Sequence, residues 1–317
     1  MNFDIFNGDA DGICALHQLR LVEPRSAELI TGVKRDISLV QNALVKAGDD
    51  MVILDVSLDK NRSALEEALK QDVKITYYDH HFAGEIPDNN QLTCFIDTSA
   101  EICTSLIVNQ QLGGKHVMWA ITAAFGDNLH KPAVALANEV GLNENQAQQL
   151  EELGTLINYN GYGLTIDDLY FPPDELYKII HQYENPFDFI ENESAFNVLK
   201  TGYYSDLEKA KLAKADIMTE KQAIYILPNE PWSRRIAGVY GNILTRQTTN
   251  RAHAILTEVE NNNYMVSVRA PLNNRDGADK LCRQFKTGGG RKAAAGINAL
   301  PFVNYPEFVE KFKLQFQ

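Results

Sequence analysis

The sequence predicts an α/β protein: a parallel-sheet N-terminal domain followed by a smaller, mixed α/β C-terminal domain. Three observations point there. Over residues 1–127, short apolar runs alternate with helical patterns, the rhythm of βαβ units and a parallel sheet. Five of the apolar stretches end on an acidic residue, as strands do whose carboxyl ends surround a ligand site. Beyond residue 222 the chain has strands of its own, the last two joined by the hairpin turn Asn261-Asn262-Asn263, as in a substantially antiparallel sheet. The expected division is a first domain over 1–194, a helical linker over 195–222 and a second domain over 223–317.

The elements follow in order. Asn2–Phe6 reads as the first strand and Ile13–Leu21 as the first helix. Between them lies Asn7-Gly8-Asp9-Ala10-Asp11-Gly12. In extended backbone, residues at spacing two share a face, so Asn7, Asp9 and Asp11 point one way. Carboxylates side by side repel and need a cation between them. Hard oxygen ligands suit Mg²⁺ or Mn²⁺. The same stretch also suits an Asx-rich turn between strand and helix.

Ala27–Gly32 and a helical Leu39–Ala47 continue the alternation. Met51–Leu54 stops on Asp55, after which Ser63–Gln71 is helical. Val73–Tyr78 stops on Asp79-His80-His81, and Thr93–Ile96 on Asp97. Thr104–Gln111 is helical, and the buried helix Met118–Ala124 leads to Asp127. Residues 131–183 are mostly helical. Asn143 caps a helix over Glu144–Asn158, and Pro172-Pro173-Asp174-Glu175 opens another. The helical connector runs from Ala195 to about Gln222. The second domain has strands at Ala223–Leu227, Arg235–Val239, His253–Val259 and Tyr264–Ala270. A helix near Ala278–Phe285, the glycine run Gly288-Gly289-Gly290 and a terminal helix over Pro306–Phe316 complete it.

Composition narrows the function. With 317 residues the chain can bury two cores, and 44% hydrophobic against 23% charged is ordinary for a soluble globular protein. No apolar run approaches the ~20 residues that span a bilayer, and no signal peptide is expected. Cys14, Cys94, Cys103 and Cys282 form no C-x-x-C pair. They read as buried free thiols in a reducing cytoplasm, not as a zinc site. The net charge of −12 argues against coating a long nucleic acid. Yet Arg269 to Lys292 holds seven basic and two acidic residues. Such a local patch suits a small anionic ligand, or a solvated helix face.

These motifs together resemble a known family. Asp9-Ala10-Asp11-Gly12, Asp55, Asp79-His80-His81 and Asp127 look like the four motifs of the DHH phosphoesterases. Gly288-Gly289-Gly290-Arg291-Lys292-Ala293-Ala294-Ala295-Gly296 resembles the glycine-rich signature of the companion DHHA1 domain. The resemblance implies a parallel-sheet domain with two divalent ions, usually Mn²⁺ (Mg²⁺ being the alternative), and a smaller domain that binds substrate. It implies that Asp9 and Asp55 hold the first ion, and that Asp11, Asp55, His80 and Asp127 hold the second. His81 would contact the scissile phosphate or the leaving group, with Asp79 orienting a histidine. Two such ions can activate a hydroxide and stabilise the developing charge on phosphorus. Asn7 sits where the RecJ branch places an aspartate, and an amide is a weaker ligand than a carboxylate. Arg291 follows the third glycine where many members have histidine, and can make a bidentate contact with phosphate. Arg269 looks like the arginine that members use for substrate phosphate, and Gly288, Gly289 and Gly290 offer backbone N–H groups to it.

The activity implied is metal-dependent hydrolysis of short linear oligonucleotides, foremost 5′-phosphorylated dinucleotides such as pGpG or pApA, to 5′-mononucleotides. The alternatives are a RecJ-like single-strand exonuclease, a phosphatase of 3′,5′-bisphosphorylated nucleotides, and a non-catalytic nucleotide-binding protein. Partners implied are a short nucleotide, no long nucleic acid, no membrane, and a second copy in a homodimer.

Overall fold

Three apolar runs build the first sheet by alternation. Phe3 and Ile5, Met51 and Ile53, and Ile75 and Tyr77 point to one side, where all are buried. The computed structural model describes residues 1–317 and divides into two compact units, Met1–Thr201 and Gly202–Gln317. The first unit contains strands β1 (Asn2–Phe6), β2 (Glu28–Ile30), β3 (Asp50–Leu54), β4 (Lys74–Asp79) and β5 (Leu92–Ile96). They form an all-parallel sheet in the order β2-β1-β3-β4-β5.

Helices cover both faces. Helix α1 (Ala10–Val22) lies against the face that carries Asp4, and its Arg20 donates to both oxygens of that carboxylate, each at 2.7 Å. Helix α2 (Leu58–Lys70) packs Leu58, Leu65 and Ala68 on the opposite face, against Phe3, Ile53 and Tyr77. Helices α3 (Thr104–Gln111), α4 (Val117–Gly126), α5 (His130–Glu139) and α6 (Glu144–Asn160) follow. Asn143 begins α6 with a reciprocal capping box to Gln146. Helices α4 and α6 meet where both carry glycine: a Cβ on Gly154 would lie 2.1 Å from the Thr122 carbonyl oxygen. Helices α7 (Pro173–Ile180), α8 (Pro186–Asn192) and α9 (Ser194–Lys211) complete the run, Pro173 filling a first-turn position.

The second unit has a six-stranded sheet. Its strands are β6 (Ala215–Met218), β7 (Gln222–Leu227), β8 (Ala252–Val259), β9 (Asn263–Arg269), β10 (Gly288–Gly290) and β11 (Ala294–Pro301), in the order β10-β11-β9-β8-β7-β6. Only β7 and β8 pair parallel, because helix α10 (Pro231–Gln247) connects them. Asn261 and Asn262 both take positive φ, 59° and 56°, as the tight turn between β8 and β9 requires. Helix α11 (Ala278–Cys282) and helix α12 (Tyr305–Gln315) close the core, where Phe308 and Phe312 pack on Leu256, Val266 and Val268. No helix of the chain is long and apolar enough to cross a membrane.

Three element expectations are corrected. Leu39–Ala47 is not helical beyond a single 3-10 turn at Val40–Asn42. The Asn61 side chain takes its backbone groups instead, accepting from the Val40 N–H at 3.1 Å and donating to the Ile37 carbonyl at 2.7 Å. Arg235–Val239 is not a strand but part of α10: Ile236, Tyr240 and Leu244 recur at helical spacing and are buried, and Pro231 sits in the first turn. Ala215–Met218 is not helical but an edge strand. Its composition favours a helix, yet it covers the open backbone edge of β7.

Candidate metal centre

The carboxyl ends of β1, β3 and β4 are neighbours in the sheet, so the residues that follow each strand meet. They deliver Asn7, Asp9 and Asp11, then Asp55, then Asp79, His80 and His81. Asp127 arrives from another direction, as the residue that ends α4. The centre lies where the chain leaves β1 to β2 on one side and β3 on the other, the usual place for a ligand in a parallel sheet.

His80 is the pivot. Its Nδ1 lies 3.0 Å from the Ile102 carbonyl oxygen, which can only accept. The proton therefore resides on Nδ1, which turns the Nε2 lone pair toward the carboxylates. Nε2 lies 3.3 Å from Asp55 Oδ1, 3.9 Å from Asp11 Oδ2 and 4.0 Å from Asp127 Oδ2. Asp55 holds its place at φ 59°, in the left-handed region that aspartate tolerates better than most residues. Its Oδ1 also accepts from the Thr104 hydroxyl at 3.2 Å. Asp11 accepts from the Thr104 and Ser105 N–H groups at the start of α3, at 2.8 and 2.7 Å. Asp55, His80 and His81 alone present three ligand atoms within 4.8 Å of one another.

The electrostatics match that crowding. Burial pushes the Asp55 carboxyl well above the ordinary carboxylate range, and the charges of Asp11 and Asp9 push it further. Burial raises Asp11 too, against the pull of His80 and with a push from Asp127. The Asn7 Oδ1 and Asp127 Oδ2 atoms are buried acceptors that no donor reaches. A divalent cation beside His80 Nε2 would satisfy the Asp127 acceptor and neutralise the clustered carboxylates, so the residues present fit such an ion.

His81 stands beside this group. Its Nδ1 lies 2.7 Å from Asp79 Oδ1 and 3.9 Å from Asp55 Oδ1, and its side chain is 34% exposed. Burial disfavours its imidazolium, but the Asp79 hydrogen bond and the Asp55 charge outweigh that and raise its pKa. Asp97 lies apart: it accepts from the Ser99 N–H and hydroxyl in a local turn. His130 faces Glu151 at 3.2 Å and does not join the centre.

The structure adds residues that no motif announced. The Lys34 Nζ bonds to Asp9 Oδ2 and to Asn158 Oδ1 (2.8 Å), and lies 3.8 Å from Asp127 Oδ1. Asp9 uses its other oxygen to cap α1, accepting from the Asp11 and Gly12 N–H groups at 3.0 and 3.1 Å. Burial alone would raise Asp9, but Lys34 holds it below the usual range. Lys34 sits in an irregular segment after β2, with no local signal. Asn158 did carry one: it is a polar residue inside the buried run Leu156-Ile157-Asn158-Tyr159.

No protein-family model matches the sequence, and no curated protein matches it. Solved structures do match. A RecJ exonuclease bound to manganese superposes with a TM-score of 0.64 at 16% identity, over 99% of this chain and 89% of that one. RecJ from Thermus thermophilus in complex with Mn²⁺ gives 0.57 at 15% identity, over 99% of this chain but only 51% of that chain. The pGpG-specific phosphodiesterase PggH from Vibrio cholerae gives 0.55 at 13% identity, over 98% and 97%. The chain has the DHH phosphoesterase fold.

The second unit of this DHH-fold chain carries the remaining expected residues. The Arg269 guanidinium is largely engaged, donating to Asn242 Oδ1 at 2.5 Å, Ser267 Oγ at 2.9 Å and the Gly238 carbonyl at 3.1 Å. The glycine run is the edge strand β10. Gly288 is required by packing, since a Cβ there would lie 1.7 Å from the Cys282 carbonyl oxygen. Gly290 has φ 132°, a conformation that favours glycine. Gly289 meets nothing that a side chain would touch. Arg291 follows on the exposed side.

Proposed function

We propose that the chain is a divalent-metal-dependent phosphodiesterase that cleaves short linear oligonucleotides, foremost 5′-phosphorylated dinucleotides, to 5′-mononucleotides. The observation that carries this reading is His80: its Nδ1 bond to Ile102 leaves Nε2 within 4.0 Å of three carboxylates. Asp11, Asp55, His80 and Asp127 would hold a divalent ion, with Mn²⁺ the first choice. When bound, such an ion supplies Lewis-acid polarisation of the phosphoryl group and an acidified water.

The chain's own residues supply the rest. Asp79 fixes the His81 ring through Nδ1 and favours its charged form. The His81 Nε2 proton is then available to the oxygen that leaves phosphorus. Thr104 and the first N–H groups of α3 hold Asp55 and Asp11 in place, so the carboxylates need no reorganisation on binding. In the second unit, Arg291 and the backbone of Gly289 are the groups we assign to a terminal phosphate.

Two facts favour a short substrate. The net charge of −12 opposes a long polyanion, and the pGpG-specific PggH matches nearly end to end. A RecJ-like exonuclease is the second reading, because the manganese-bound RecJ has the higher TM-score. The test is turnover of 5′-labelled oligoribonucleotides two to seven residues long with Mn²⁺. A rate that is highest on the dinucleotide supports the first reading. Equal kcat/KM across the panel supports the second, and no Mn²⁺-dependent turnover on any length refutes both.

A further inference from the structure

In the two-ion arrangement that the motifs resemble, Asp9 and Asp55 would share the first ion. Here the place beside Asp9 is taken. One Asp9 oxygen caps α1, and the other bonds the Lys34 ammonium, which also reaches Asn158 Oδ1 at 2.8 Å and lies 3.8 Å from Asp127 Oδ1. Lys34 is fixed at both ends of its backbone: its N–H donates to the Gly161 carbonyl at 2.8 Å, and its carbonyl accepts from Asn7 Nδ2 at 3.4 Å. The Tyr162 ring stands 5.5 Å from its Nζ, a further contact that favours a cation. The other first-ion candidate, Asn7, carries no charge. So the sequence change at Asn7 and the placement of Lys34 weaken the same half of the centre.

The other half keeps its ligand atoms facing one another. His80 Nε2 lies within 4.0 Å of Asp55 Oδ1, Asp11 Oδ2 and Asp127 Oδ2; the ammonium approaches only the far oxygen of Asp127, Oδ1, and Asp127 Oδ2 has no donor. Electrostatics favours the same side. An ion held by Asp9 would have to sit next to the ammonium that Asp9 already binds, and two cations sharing one carboxylate repel.

We infer that Lys34 stands in for one of the two ions, so that the centre takes a single divalent ion on Asp11, Asp55, His80 and Asp127. Resting on the metal-centre reading above, the inference makes Lys34 a resident cation of the centre. Its charge cannot dissociate with chelators.

The test counts ions. Full-length protein is titrated with Mn²⁺ by calorimetry, and the bound ion is read by electron paramagnetic resonance, which separates an isolated Mn²⁺ from a spin-coupled pair. Wild type is expected to bind one ion with the isolated spectrum. Lys34→Met combined with Asn7→Asp, which frees Asp9 and restores a charged ligand, is expected to bind two and to show coupling. Lys34→Gln with Asn7→Asp likewise removes the ammonium from Asp9, and gives the same count if the methionine variant does not fold. Two coupled ions in wild type would overturn the inference while leaving the metal-centre reading intact. No bound ion in wild type would overturn both. One ion in wild type and still one in the folded double variants would overturn the role assigned to Lys34.

Discussion

Asp55→Asn should raise the stability of the metal-free protein while abolishing its response to Mn²⁺. Asparagine keeps the shape of Asp55 and tolerates its φ of 59°, so the fold is preserved. What disappears is a buried charge that shares one His80 nitrogen with Asp11 and Asp127, all within 4.0 Å of it. At roughly 6 Å and an effective dielectric of about 20, each carboxylate pair repels by about 3 kcal/mol. Because Asp55 is held well above the usual carboxylate range, part of that cost is already relieved by protonation, and a net gain of about 1–3 kcal/mol remains. For a unit the size of Met1–Thr201 this raises Tm by roughly 3–10 °C. The folded-state pKa of Asp55 lies above its unfolded value, so the cost is full above the folded pKa and fades as pH falls toward the unfolded one. The advantage of Asp55→Asn should therefore shrink on acidification. Wild type, in turn, gains about 2.7 kcal/mol when Mn²⁺ reaches 100 times its Kd, and the variant gains little. Differential scanning fluorimetry in chelator and in Mn²⁺ reads both effects. A lower metal-free Tm for Asp55→Asn, or an Mn²⁺ shift equal to that of wild type, would refute the reasoning.

Four further outcomes are expected. Asp79→Asn weakens the support for the His81 imidazolium, so the alkaline limb of kcat/KM, where the acid loses its proton, should move to lower pH; an unmoved limb would show that His81 does not act as the acid. Gly154→Ala drives a methyl into the Thr122 carbonyl; overpacking of about 1–3 kcal/mol, partly offset by the ~1 kcal/mol helix preference for alanine, should lower the chemical-denaturation midpoint, and a more stable variant would mean that α4 and α6 part freely. His17 is buried, with its pKa lowered to about 3, chiefly by burial and then by His181, whose Nδ1 lies 3.0 Å from its own. Its folded-state pKa lies below its unfolded one, so stability should be full above pH ~6.5 and fall by up to about 4–5 kcal/mol on going down to pH ~3; His17→Phe should flatten that loss, and an unchanged acid profile would point to other groups. Arg291→Ala should cost about 2–4 kcal/mol of kcat/KM on a 5′-phosphorylated dinucleotide and little on the unphosphorylated one; equal losses on both would remove Arg291 from phosphate recognition.

Much of the first unit was legible in the chain because its signals are local. Apolar alternation is a property of the strand itself, and an acidic residue at the end of each run needs no distant partner to be noticed. Asn143 with Gln146 and Pro173 likewise act within one helical turn. Elements whose form depends on partners outside their own segment are not legible from that segment alone. Ala215–Met218 is a strand only because β7, across a short turn, offers it an edge, and Leu39–Ala47 is irregular because Asn61 supplies its hydrogen bonds. Arg235–Val239 was a question of window: the helical period shows only over the whole of Pro231–Gln247. The same division runs through the metal centre. The identity of the acids and histidines could be read from the motifs, but the presence of Lys34 among them could not. An ammonium carried on a flexible side chain from an irregular segment has no spacing rule. It reaches Asp9 and Asn158, 25 and 124 residues away along the chain, only once parallel-sheet order and the close packing of α4 on α6 have brought β1, α4 and α6 to one point.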